Sequence, residues 1–267
     1  MEPEPSGGAK PRARRTSPDT TKRQILDEAK ARIAAEGGIT LSFEHIPLES
    51  YIKAAGAPRS SVYRIWKSHA AFVADLIQDL FEGGDFARGF DPSTRHAIEA
   101  VLREHVGLIQ GTSEERRALM REMVRVGVAA NLQAAAASEF RRSYWTLASA
   151  VPSIAPGPAR ETAVATVTRI EASFLSAMSS FYETVLGLIG LRLREPFTPR
   201  HIAVLTNSIV DAFTRRFELD RGIVETVFEG PALEGGTAEW TFAAWSIASA
   251  VDGMTESYAP TTGDAAQ

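Results

Sequence analysis

The 267-residue chain contains no cysteine. Disulfides, thiolate zinc sites and cysteine nucleophiles are therefore excluded, and the composition fits a reducing compartment. Long apolar runs are also missing. The longest, Val185 to Leu191, falls far short of the ~20 residues that span a bilayer. The opening MEPEPSGGAKPRARR has no apolar centre and does not read as a secretory signal. A cytoplasmic protein with no membrane partner is the expectation. The sequence has no Gly-x-Ser-x-Gly elbow, no P-loop and no dinucleotide fingerprint, and its 33 carboxylates show no pairing suited to acid–base work. The five histidines (His45, His69, His96, His105 and His201) form no His-Glu-x-x-His pattern and no i, i+4 pair. No catalytic residue, metal ligand or cofactor is nominated, so an enzyme is not expected. Strand-like alternation and fixed-period repeats are absent as well.

What is present is a core-forming composition, 44% hydrophobic and 23% charged, which excludes wholesale disorder. The formal net charge of -4 is unevenly placed. Residues 10–67 hold 12 Lys/Arg against 6 Asp/Glu, a net +6, and residues 68–267 hold 17 against 25, a net -8. Only the N-terminal part is suited to meeting a polyanion.

Helical signals run the length of the chain. Residues 1–16 read as a flexible basic tail, whose KPRARR segment is either a minor-groove arm or a solvated run. Ser17-Pro18 starts a helix with Ile25, Leu26, Ala29 and Ile33 on one face, and Gly37-Gly38 ends it. Residues 39–47 are irregular. Short helices follow over Leu48 to Ala55 and Pro58 to Trp66, and Ser68 caps another that stops at Gly83-Gly84. Beyond that, Asp91-Pro92, Ser113, the Pro156-Gly157-Pro158 break and Thr198-Pro199 punctuate further helices. The segment starting near Pro158 carries Val164, Val167, Ile170, Phe174, Phe181, Val185 and Leu188 at helical spacing. A last helix is predicted over Thr237 to Thr255. The expected fold is all-α. A first domain would cover residues 17–82, a second helical domain 83–258, and a flexible tail 259–267.

The stretch YIKAAGAPRSSVYRIWKSHAAF, residues 51–72, carries the functional signal. Two short helices joined by a glycine turn form a helix-turn-helix, whose second helix enters the DNA major groove. Arg59, Ser60, Ser61, Tyr63, Arg64, Lys67 and His69 are the candidate DNA contacts, with basic side chains for phosphate or guanine and hydroxyls for phosphate. Val62, Ile65 and Trp66 are spaced to face inward.

This stretch resembles the TetR family of bacterial transcriptional regulators. Ala54-Ala55-Gly56 matches the end of the family's second helix. Val62-Tyr63-Arg64-Ile65-Trp66, followed by Lys67-Ser68-His69-Ala70, matches the close of its recognition helix. The detailed likeness covers residues 20–82. Four positions depart from the pattern. Pro47 stands where a capping Ser or Thr is usual, and Ile52 replaces a small residue. Ile65 replaces a phosphate-contacting histidine, and His69 replaces a lysine. The resemblance implies an all-helical regulator, a repressor that binds a pseudo-palindromic operator on double-stranded DNA as a homodimer and responds to a small effector. The competing reading is a protein–protein adaptor that keeps the helix-turn-helix as structure only.

Two further sites follow as expectations. Met120, Met123, Trp145, Phe174, Met178 and Phe181 are soft or aromatic residues suited to a pocket for a small apolar effector. Trp240, Ala244, Ile247 and Val251 form a narrow stripe at 4-3-4 spacing, and small neighbours leave room for a helix of a second copy.

Overall fold

A computed structural model describes residues 17–39, 46–82 and 89–258. The tails at 1–16 and 259–267, most of the irregular stretch 39–47, His45 and the Gly83-Gly84 stop lie outside the described residues. The chain divides into two compact units, residues 1–82 with 146–164, and residues 83–145 with 165–267. The sequence carried no sign of the 146–164 excursion.

In the first unit, α1 spans Pro18–Ala35. The Ser17 hydroxyl accepts from the Thr20 amide and Pro18 sits at the first turn, so two local signals agree on the start. The unit continues with α2 (Leu48–Ala54), α3 (Arg59–Ile65) and α4 (His69–Phe81), the last capped by Ser68. Phe72 is fully buried and centres the core, with the rings of Trp66, His69 and Tyr51 at 5.1, 6.1 and 6.3 Å. Three ion pairs tie α1 to α4: Lys22–Asp75 at 2.7 Å, Arg23–Asp79 at 2.8 Å and Lys30–Asp79 at 2.7 Å. Thr146 donates to the Ile39 carbonyl at 2.9 Å, which helps to place the 146–164 segment in this unit.

The second unit contains α5 (Pro92–Glu104), a 3₁₀ turn over Val106–Gln110, and α6 (Ser113–Ala137). Most of α7 (Glu139–Ala150) and of α8 (Pro158–Leu188) also belongs to it. Then come β1 (Leu191–Leu193), α9 (Pro199–Arg216), α10 (Arg221–Glu225), β2 (Val227–Pro231), β3 (Thr237–Thr241), α11 (Phe242–Met254) and β4 (Thr255–Ser257). α6 starts with a full capping box between Thr112 and Glu115 and packs against α5, α9 and α11. Gly127 permits the close crossing of α5, since a Cβ there would lie 2.8 Å from Ile98 side-chain atoms. Arg121 and Arg117 of α6 reach Asp252 of α11 at 2.6 and 3.4 Å. Two antiparallel pairs, β1 with β4 and β2 with β3, complete the unit. With eleven α-helices and four short strands among the described residues, the class is all-α.

Several boundaries differ from the expectation. Helical spacing predicts a further helix over roughly Ala134 to Ala150; α6 instead runs on to Ala137, and the break falls at Ser138, whose hydroxyl accepts from the Arg141 amide to begin α7. The segment opened by Asp91-Pro92, which the sequence predicts to run helical to about Gln110, leaves α-geometry after Glu104. Val164 and Leu188, at the ends of the α8 stripe, are exposed. Residues 237–241 are strand rather than helix, with Trp240 paired opposite Phe228 and its indole donating to the Pro231 carbonyl at 3.1 Å. α11 therefore starts at Phe242, capped by Thr241. The helical spacing of Trp240 with Ala244 is genuine, but a hairpin turned through Gly235 and Gly236 claims the tryptophan first.

Candidate nucleic-acid interface and interior cavity

The first unit positions its polar face through one turn. At the end of α2 the Ala57 amide donates to the Ile52 carbonyl at 3.1 Å and the Gly56 amide to the Lys53 carbonyl at 3.2 Å. This is the paired closure of a Schellman motif, and Gly56 occupies the left-handed position at φ +61°. Pro58 then sets the extended entry to α3. Val62 (0% exposed) and Trp66 (2%) anchor α3, the Trp66 indole donating to Asp75 at 2.7 Å. Anchoring that side turns the other one out.

Arg59, Ser60, Tyr63, Arg64 and Lys67 are all exposed. They follow i, i+1, i+4, i+5, i+8 and so lie along one side of α3 and its exit. Ser61 and Ile65 are half-buried at the margin. His69 is exposed as well, but its Nε2 bonds the Ile46 carbonyl at 2.8 Å and its ring lies near Phe72. It tethers the segment entering α2, so its ring is engaged within the unit. The departures from the family pattern have local answers. Pro47 supplies no side-chain cap to α2, and its carbonyl accepts instead from Ser50 at 2.8 Å. Ile52 is buried.

Glu49 is the residue that the sequence did not reveal. From α2 it accepts hydrogen bonds from Tyr63 and from Arg59, the latter at 2.5 Å. The Tyr63 hydrogen bond first, and Arg59 second, hold the Glu49 carboxyl below its ordinary range, and the same bond pushes the Tyr63 hydroxyl up. No local spacing rule links these three residues, because the glycine turn brings them together.

In the second unit an apolar cavity of about 70 Å³ is lined by Met120, Met123, Phe174, Met178 and Phe181 among others. Five of the six pocket residues expected from the sequence thus surround one space. Trp145 is not on its wall. Its ring instead receives the guanidinium groups of Arg141 and Arg215 at 5.9 and 6.0 Å. A second, more polar cavity of about 250 Å³ shares Phe90, Asn131, Arg141 and Phe174 with the first. Arg141 is 9% exposed, and its guanidinium lies 3.8 Å from Asp211. Burial lowers the Arg141 pKa and raises that of Asp211, each opposed by the partner's charge.

The stripe offered to a second copy is placed differently. Trp240, Ala244, Ile247 and Val251 are all buried in the core of this unit, where α6 and α9 pack on α11. The outward side of this region carries Phe228, Phe242 and Trp245 instead.

Among the described residues no group of His, Asp and Glu could hold a metal ion, and no helix is long and apolar enough to cross a membrane. No family model and no curated protein matches the chain. Solved structures do. The reduced form of E. coli NemR is 13% identical over 89% of this chain and 99% of its own, with a TM-score of 0.45. NalD, the secondary repressor of the MexAB-OprM multidrug efflux pump in Pseudomonas aeruginosa, is 15% identical over 77% of this chain and 88% of its own, with a TM-score of 0.39.

Proposed function

We propose that this chain is a transcriptional regulator that binds double-stranded DNA through α3 and answers to a small apolar effector held in the second unit. The observation that carries the reading is the geometry of α2, Gly56 and α3. A glycine turn and two buried anchors, Val62 and Trp66, leave Arg59, Ser60, Tyr63, Arg64 and Lys67 together on the solvent side. Short polar and basic groups on the outer side of a second short helix are what major-groove reading requires. The net positive charge of residues 10–67 supports the same partner.

One seven-residue helix reads few bases, so the functional species is a homodimer on a two-fold operator with half-sites about 10 bp apart or a multiple of it. Since the Trp240–Val251 stripe is covered by this chain itself, a partner copy must use another face. The exposed rings Phe228, Phe242 and Trp245 offer such a face, with Phe242 6.2 Å from Phe228 and 5.6 Å from the half-buried Phe213. In a repressor, effector binding lowers operator affinity, and operator lowers effector affinity by the same factor.

A gel shift at fixed salt against the DNA upstream of the chain's own coding region tests the reading. A retarded complex that survives competitor DNA and is lost on Arg64→Ala is expected. Absence of any DNA binding by the intact protein would favour the adaptor.

A further inference from the structure

If the second unit holds an apolar effector, as proposed above, one hydroxyl on the wall of the inner cavity defines that molecule more closely. Six of the described lining residues carry polar side chains, and four of these are engaged within the chain. The Arg141 guanidinium lies beside Asp211, to which the Asn207 amide also donates at 3.3 Å. The Tyr182 hydroxyl donates to Thr206 at 2.9 Å, and the Thr206 hydroxyl donates to the Ile202 carbonyl at 2.9 Å. Thr94 differs from all of these. It is 1% exposed, and its hydroxyl has no hydrogen-bond partner.

The start of α5 supplies the reason. Buried threonines deeper in a helix give their proton to the carbonyl four residues back, as Thr206 does to Ile202 and Thr214 to Val210, the latter at 2.8 Å. Thr94 follows the Asp91 cap, Pro92 and Ser93, so the residue four back is Phe90, ahead of the helix. The Asp91 carboxylate serves the Ser93 amide and hydroxyl instead, at 2.8 and 2.6 Å. The Thr94 proton is therefore left without an acceptor. A buried hydroxyl in that state carries a cost that an acceptor on a ligand would remove.

That hydroxyl also marks a polar end of the space. α5 and α6 are joined by a short connection and pack antiparallel, with Ile98 crossing Gly127. One turn from that crossing, Thr94 on α5 and Asn131 on α6 reach the same level, and both line the inner cavity. Asn131 lines the adjoining polar cavity as well.

We propose that the cavity takes an apolar molecule bearing a hydrogen-bond acceptor of the ketone, ester or amide kind. Its oxygen accepts from the Thr94 hydroxyl at the Asn131 end, and its body lies among Met120, Met123, Met178 and Phe181. The inner space is about 70 Å³, against ~150 Å³ for a cavity that admits benzene. The methionines must therefore re-pack as the molecule enters, which their flexible side chains allow.

The test uses the intact protein with acetophenone and ethylbenzene, two probes of similar size that differ in the carbonyl, and measures both affinities by calorimetry. Thr94→Val keeps the shape of the side chain and removes the hydroxyl. It should weaken acetophenone roughly five- to fiftyfold, the range of one hydrogen bond to a buried group, and leave ethylbenzene unchanged. Thr94→Ser, which keeps the hydroxyl, should retain most of the acetophenone affinity. Without any probe, Thr94→Val should melt no lower than the parent, because no bond is lost there. A lower melting temperature of the free variant, or equal weakening of both probes, would overturn the proposal. Acetophenone binding unchanged in Thr94→Val would overturn the hydroxyl anchor while leaving the wider reading of an effector pocket in place. Binding of neither probe would overturn the proposal and count against that pocket too. DNA retardation by the ligand-free protein, scored in parallel, stands or falls separately.

Discussion

Glu49→Gln should strengthen DNA binding. In the free protein the Glu49 carboxylate accepts from both Arg59, at 2.5 Å, and Tyr63, two of the groups on the outer side of α3. A DNA phosphate asks for the same donors, so Glu49 competes with the phosphate and also repels it. All three side chains are exposed. Releasing one exposed ion pair is therefore a small effect, and the expected gain is on the order of two- to fivefold at moderate salt. The salt dependence is the sharper readout. If Arg59 is freed to neutralise one more phosphate, the slope of log K against log salt should become more negative by about 0.9. Fluorescence anisotropy of a labelled operator duplex across a salt series gives both quantities. Acidification should not imitate the variant at mildly acidic pH. The folded-state pKa of Glu49 is depressed, mainly by the Tyr63 hydrogen bond, so its charge and the local stabilisation it gives persist above the ordinary carboxylate value. Both are lost only as pH falls through the depressed value. Weaker binding by Glu49→Gln, or an unchanged slope, would refute the competition and make Glu49 a positioner of Arg59 and Tyr63.

Arg64→Ala should relax base preference at one position by ~1–3 kcal/mol, whereas Tyr63→Phe should weaken all sequences about equally, as selection from a randomised operator would show. Gly56→Ala should lower stability by about 1–2 kcal/mol in thermal melts, because the added methyl has open space and only the left-handed backbone at φ +61° opposes it. Phe72→Ala should cost ~3–5 kcal/mol and lose DNA binding together with the melting transition, unlike Arg64→Ala, which should leave melting unchanged. Tyr182 donates to Thr206 at 2.9 Å, and its pKa is pushed up to about 12 by burial. Its raised folded value means that the contribution is complete below pH 10 and is lost between pH 10 and 12. Denaturant titrations should show a shallower alkaline decline in Tyr182→Phe than in the parent, and equal declines would remove this assignment.

The helix starts were legible because capping is local chemistry: Ser17-Pro18, Ser68, Asp91-Pro92 and Thr198-Pro199 each open a helix where the residues indicate. The helix-turn-helix was legible for the same reason, since a glycine and two flanking apolar periods suffice to define it. What escaped was decided at a distance. Arg141 sits in FRRSYW and resembles a solvated charge; Phe174 of α8 and Asp211 of α9, distant in sequence, lie beside it in the interior. Trp240 belongs to a hairpin whose other strand has to be known before the pairing can be seen. A 4-3 apolar stripe shows that a helix will be covered along one face. It does not show whether the cover comes from a second copy or, as on α11, from α6 and α9 of the same chain.

α3 is held by its surroundings rather than by itself. α2 and α3 have seven residues each, and neither has a side-chain cap at its start. Isolated helices of that length are not stable in water. Their positions must come from what they bury: Tyr51 and Ile52 on α2, Val62 on α3 and Trp66 just beyond it, all at 4% exposure or less, closed over Phe72. Trp66 adds a directional constraint, because its indole reaches Asp75, which also takes Lys22 of α1 at 2.7 Å. The orientation of the outer side of α3 is thus fixed by aromatic packing and one shared carboxylate. The buried anchors thus carry most of the positioning, and of the outward groups Arg59 and Tyr63 add a bond to Glu49 of α2.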